Sequence, residues 1–161
     1  MLLSVILSPS IYGQETIPQY DLKVKLIEKK KTLEVFQTIQ FHNTTETPLE
    51  TLYLNDWSHA YSSSKSPLAQ RFAEEYDRRF YLGSKAKRGQ TTDLNITVKG
   101  DKIDWKRFDN QLDIIQIALD DVLAIGSQIT ISLTYKIELP DARYTGYGKI
   151  SDDEYFLKNC F

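Results

Sequence analysis

Residues 129–137 read Ile129-Thr130-Ile131-Ser132-Leu133-Thr134-Tyr135-Lys136-Ile137, an alternation of apolar and polar side chains that Pro140 brings to a stop. Successive side chains of an extended chain point to opposite faces, so a period of two describes a strand buried on one side only. The same period recurs upstream. Tyr20, Leu22, Val24 and Leu26 alternate with Asp21, Lys23 and Lys25, and Leu33, Val35, Ile39 and Phe41 share a face on which only Gln37 is polar. The run Glu28-Lys29-Lys30-Lys31-Thr32 turns the chain between these stretches and predicts a hairpin of residues 20–28 and 32–43. Further strands are expected over 49–55, 94–98, 103–108 and 112–119, with Lys99-Gly100-Asp101-Lys102 as a tight turn and 120–126 as a connection.

One window changes period. Leu68, Phe72, Tyr76 and Phe80 recur every fourth residue and stack on one helical face. Ser66 is a good N-cap, Pro67 suits the first turn and Gly83 can close the far end, so one amphipathic helix is predicted over 66–81. Glu74 with Arg78, and Glu75 with Arg79, are spaced for pairing on its outer side. The fold expected is mainly β: an antiparallel sandwich or saddle-like sheet of about seven to eight strands with this single helix inserted.

Composition narrows the function. The chain has 161 residues, 41% of them hydrophobic, and a net charge of −2. A chain of this length buries about 68–70% of its unfolded surface without staples. The balanced charge lacks the basic field that nucleic-acid binding needs. One cysteine, Cys160, excludes an intrachain disulfide framework, and His42 and His59 alone fall short of the three protein ligands of a catalytic zinc. No metal ligand or catalytic residue is therefore assigned within this chain. No stretch approaches the ~20 apolar residues of a membrane-spanning helix. Residues 1–14, with the apolar run Met1-Leu2-Leu3-Ser4-Val5-Ile6-Leu7 and the small residues Ser8 and Ser10, read as an incomplete secretory signal lacking its basic region, or as a plain N-terminal strand.

The remaining motifs are weak. Asp152-Asp153-Glu154 lacks the spacing of a calcium loop and reads as a solvated acidic turn. Lys29-Lys30-Lys31 and Lys85, Lys87, Arg88 are two short basic runs that fit solvated loops. Asn43-Thr44-Thr45 and Asn95-Ile96-Thr97 match the glycosylation triplet, which arises often by chance. Arg143, Tyr144 and Tyr147, with Tyr155 nearby, suit either a sugar- or peptide-binding surface or packing against a neighbouring domain.

The segment Tyr53-Leu54-Asn55-Asp56-Trp57-Ser58-His59-Ala60-Tyr61, followed by Leu68-Ala69-Gln70-Arg71-Phe72, resembles the N-terminal domain of aminopeptidase-N-like zinc metallopeptidases, the gluzincins, of an exported bacterial branch. Residues 20–24, 36–43, 113–126, 129–140, 141–147 and 155–161 resemble the same domain in the same order, so the likeness spans 18–161. The resemblance implies a scaffold and cleft-wall domain of an enzyme that removes N-terminal residues from peptides. It implies zinc in the intact parent, the parent's own catalytic domain and its peptide substrate as partners, and a periplasmic, cell-surface or secreted location. The H-E-x-x-H helix, its downstream glutamate and the family's glycine-rich loop are absent here, and Cys160 stands where many relatives carry an aromatic residue. The chain is thus expected to be non-catalytic by itself and cut near the start of the catalytic domain. Arg143, Tyr144 and Tyr147 are the candidates for approaching the substrate. The alternative is a stand-alone secreted β-sandwich that binds carbohydrate or peptide through exposed aromatics.

Overall fold

A computed structural model describes residues 17–157, apart from the side chains of Ala86 and Tyr144. The expected leader, residues 1–14, lies outside the described residues, as do Cys160 and the other residues after Leu157. The molecule is mainly β and sandwich-like, as the alternation predicts.

Strands β1 (Gln19–Ile27) and β2 (Thr32–His42) form the predicted hairpin, joined by a 3-10 turn over Glu28–Lys30 and by Lys31 in the left-handed region (φ 52°). Strands β3 (Leu49–Asn55), β4 (Gln90–Val98), β5 (Asp101–Lys102), β6 (Trp105–Phe108), β7 (Gln111–Leu123) and β8 (Gln128–Glu138) follow. Strand β7 runs through Leu123, so the connection expected over 120–126 shrinks to the short turn before β8. One sheet has the order β1-β2-β8-β4-β5; the second has the order β3-β7-β6. All of these pairings are antiparallel. A two-stranded sheet of β9 (Gly148–Lys149) and β10 (Tyr155–Phe156) closes the described chain.

The apolar face of β2 and β8 has two covers. In the register of this pair Leu33 opposes Ile137, Ile39 opposes Ile131 and Phe41 opposes Ile129. The second sheet covers one half, burying Ile39, Ile131 and Leu133 against Leu52, Ile115 and Ile117. Leu33, Val35, Ile137 and Leu139 are covered instead by Tyr61, Ala69, Phe80 and Tyr147 from the helical insert and the C-terminal segment. The opposite face of the large sheet is largely polar and faces solvent, with Lys23 lying 6.0 Å from the ring of half-exposed Phe36.

The predicted helix is present in two pieces, α2 (Pro67–Glu74) and α3 (Arg79–Leu82), preceded by the single turn α1 (Trp57–Ala60). Ser66 caps α2 as expected, accepting from Ala69 N at 3.2 Å. The break comes at Tyr76, whose φ is +61°. There Asp77 N donates to Phe72 O at 2.8 Å and Tyr76 N to Ala73 O at 3.1 Å, the paired bonds of a Schellman stop. Tyr76, expected to face the sheet, is therefore 90% exposed, while Phe80 is buried and Phe72 half-buried against it at 5.5 Å. With the helix ended, Glu75 pairs back with Arg71 at 3.2 Å and Arg79 pairs with Asp77 at 2.7 Å, replacing the two pairings predicted from spacing.

Candidate functional site

Between the two covers the large sheet is open. A cleft of about 520 Å³ lies there, with Ile39, Leu133 and Ile137 in its floor. The residues that break the apolar pattern of the central strands sit in this gap. Gln37, the one polar member of the β2 series, and Tyr135, the one hydroxyl-bearing member of the β8 series, both line it. Tyr135 Oη donates to Gln37 Oε1 at 2.9 Å, so each satisfies the other over the otherwise apolar floor. Aromatic rings stand around the mouth: Tyr20 is 59%, Tyr53 60% and Trp57 44% exposed.

The wall beside Trp57 is anchored by Asp56, which is buried at the junction of β3 and α1. Its carboxylate accepts from Thr91 Oγ1 of β4 at 2.6 Å, from His59 N at 3.3 Å and from Arg107 Nη2 of β6. The Asp56–Arg107 pair is shielded on both sides, with side-chain exposures of 8% and 14%. Arg107 also lies 5.1 Å from the ring of Trp105, which supports the guanidinium by a cation–π contact. One carboxylate thus joins both sheets and the first helical turn. With three donors in hand it is a structural anchor and not a free general base.

His59 packs against the same cluster. Its Nδ1 faces Thr91 O at 3.1 Å, and a carbonyl only accepts, so Nδ1 carries the hydrogen. Burial, and then the Arg107 cation, hold the ring's pKa below the ordinary 6.5, although the Asp56 carboxylate opposes the shift. His59 is therefore neutral at pH 7. His42 ends β2 opposite Gln128, on a different element. Among the described residues no group of three His, Cys, Asp or Glu gathers to hold a metal.

No family model matches the chain, and no curated protein matches it.

The residues proposed from sequence lie elsewhere, around α4 (Ala142–Thr145). Arg143 is exposed and binds Asp141 through Nε at 3.0 Å and Nη2 at 2.6 Å, which holds that carboxyl below the usual range. Tyr147 is 3% exposed and packs edge-on against Tyr61 at 5.5 Å, inside the apolar core. The side chain of Tyr144 lies outside the described residues. Arg143 and Tyr147 therefore share a segment but not a surface. Tyr155 is half-buried against the same core as Tyr147. Sequence reading missed the cleft of Gln37, Tyr135, Tyr53 and Trp57; its available signal was the polar interruption at Gln37.

Of the two glycosylation triplets, the first is engaged internally. Asn43 has no exposed surface, and its Nδ2 donates to Thr47 O and Leu123 O at 3.0 Å each. That nitrogen is not free to carry a glycan in the folded chain.

Proposed function

We propose that this chain is the scaffold and cleft-wall domain of a zinc-dependent aminopeptidase, an exported bacterial enzyme that removes N-terminal residues from peptides. One observation carries the reading. The segment that resembles the gluzincin domain, residues 53–61, is also the segment that builds the mouth of the cleft, with Tyr53 and Trp57 exposed on either side of buried Asp56. Aromatic rings flanking an apolar floor suit coverage by a neighbouring domain or by substrate. In this reading zinc, its water and the general base belong to the catalytic domain, and the present residues supply shape and support. Among the described residues no helix is long and apolar enough to cross a membrane.

The reading is tested at two levels. The reading frame beyond Phe161 is expected to continue and to encode H-E-x-x-H; a stop codon there overturns the assignment. The chain itself, incubated with zinc and an aminoacyl chromogenic substrate, is expected to give no turnover. Turnover abolished by His42→Ala or His59→Ala overturns the scaffold role.

A second reading, a stand-alone β-sandwich binding carbohydrate or peptide, is favoured by the exposure of Tyr20, Tyr53 and Trp57 around one cleft. Saturable quenching of tryptophan fluorescence by an oligosaccharide or peptide, lost in Trp57→Ala, selects it.

A further inference from the structure

Strand β1 stands at the end of the main sheet, and among the described residues no strand pairs with its outer edge. Its 9 residues of backbone offer donors and acceptors there to a further strand. The apolar face of β1 is uncovered as well. Tyr20 is 59% and Val24 42% exposed, although both share a face with half-buried Leu22, which lines the cleft. The opposite face carries Asp21, Lys23 and Lys25, all exposed. Across β2, Lys25 stands opposite Glu34, Lys23 opposite Phe36 and Asp21 opposite Thr38. Among the described residues neither Asp21 nor Lys23 makes an ion pair.

The order of these residues selects one partner, a second copy. Gln19-Tyr20-Asp21-Leu22-Lys23-Val24-Lys25 is self-complementary about Leu22. Lay an identical strand antiparallel on the free edge, with Leu22 opposite the partner's Leu22. Asp21 then meets the partner's Lys23, and Lys23 meets the partner's Asp21. On the cleft face Tyr20 meets the partner's Val24 and Val24 the partner's Tyr20, an aromatic against a β-branched side chain. Gln19 falls opposite the partner's Lys25, a neutral amide against a charge. Pro18, which has no N–H, bounds the ladder at each end.

The neighbouring two-fold registers are penalised. An axis at Asp21 sets that carboxylate against its own copy. An axis at Lys23 sets two ammonium groups together, and one at Val24 sets Lys23 against the partner's Lys25 twice. Like charges directly opposite destabilise a ladder, so the lysines that oppose indiscriminate edge pairing leave this one register open.

We propose that two copies of this chain associate through β1 in the register centred on Leu22, joining their main sheets across a two-fold axis perpendicular to the strands. Such an axis keeps both clefts on the same side of the joined sheet, and the partner's Val24 meets Tyr20 at the mouth. The contact is isologous, so each interaction occurs twice. A single ladder is a small interface beside the roughly 1,200 Å² at which stable ones begin, so the dimer is weak and forms with concentration. It is independent of the peptidase reading and stands or falls without it.

Sedimentation equilibrium of the whole chain, from low micromolar to about millimolar concentration, tests it. A monomer–dimer equilibrium is expected. Asp21→Lys and Lys23→Asp should each weaken it about tenfold or more, because symmetry turns both ion pairs into like-charge contacts. Mixed in equal amounts, the two variants should associate with each other as the unaltered chain does with itself. The double exchange within one chain should restore the homodimer, and Lys29→Gln, outside the ladder, should change nothing. Thermal melting of each variant separates lost association from lost folding. A chain that stays monomeric throughout overturns the proposal. So does a dimer that Asp21→Lys leaves intact, which belongs to another surface. Failure of both the mixture and the double exchange to recover association overturns it too, because the pairs are then not the ones assigned.

Discussion

Asn43 has no exposed surface, yet every polar position of its side chain is used. Besides the two bonds already given, Nδ2 donates to Ala124 O at 3.3 Å, and Oδ1 accepts from Thr45 N at 3.0 Å and Thr45 Oγ1 at 2.7 Å. One amide therefore pins the β2–β3 loop to the β7–β8 turn. Asn43→Ala should cost about 2–4 kcal/mol, since several buried partners lose their bond together. Asn43→Asp should cost as much, because an acceptor replaces the donor that faces three carbonyls; urea midpoints check both. Asp56 and Arg107 make a different residue-scale test. Removing either partner leaves a buried charge and should cost about 3–5 kcal/mol, whereas Asp56→Leu with Arg107→Met together should cost much less than the two single changes summed. His59 sets a pH dependence. Its folded pKa lies below 6.5, so in acid the unfolded chain takes up a proton that the folded chain resists. The contribution is complete above pH ~6.5 and is lost as pH falls through the folded value. His59→Gln should flatten that acid decline in denaturation midpoints measured from about pH 7.5 to 5.

At the scale of elements, the helical insert shows where sequence patterns stop being informative. Its start was legible: Ser66 and Pro67 carry their own chemistry and cap α2 as expected. The break after α2 was not. A left-handed stop ordinarily falls on glycine, whereas Gly83 closes the far end at α3, as expected, with φ −64°. Tyr76 takes the left-handed position instead, held by bonds that exist only once the segment has docked. Tyr76→Gly should therefore stabilise the protein by about 1 kcal/mol, relieving the Cβ penalty without losing a buried ring. Phe80→Ala should cost about 3–5 kcal/mol, because Phe80 is almost fully buried against Tyr61 and Phe72. Thermal melts of the two variants should move in opposite directions. Most strands were legible because alternation is local, although β4 begins four residues before the expected start and β7 runs four residues past the expected end. Which strands adjoin, and which half of β2 each cover takes, are tertiary facts that no local period encodes. For the same reason Gln37 was visible as an interruption, while the cleft above it was not.

At the scale of the whole molecule, the pairing of β2 with β8 decides how the fold can come about. Thr32 opposes Glu138 and His42 opposes Gln128, so the centre of the main sheet joins residues from near the two ends of the described chain. During synthesis the β1–β2 hairpin is made first, yet its apolar face and one edge stay unpaired until residues 128–138 have emerged. Non-local pairing of this kind slows folding to milliseconds or longer, and an exposed hairpin edge is open to wrong partners in the meantime. The alternating lysines of β1 and the run Lys29-Lys30-Lys31 then have a second consequence: they flank the hairpin with charge that discourages two nascent chains from pairing edge to edge.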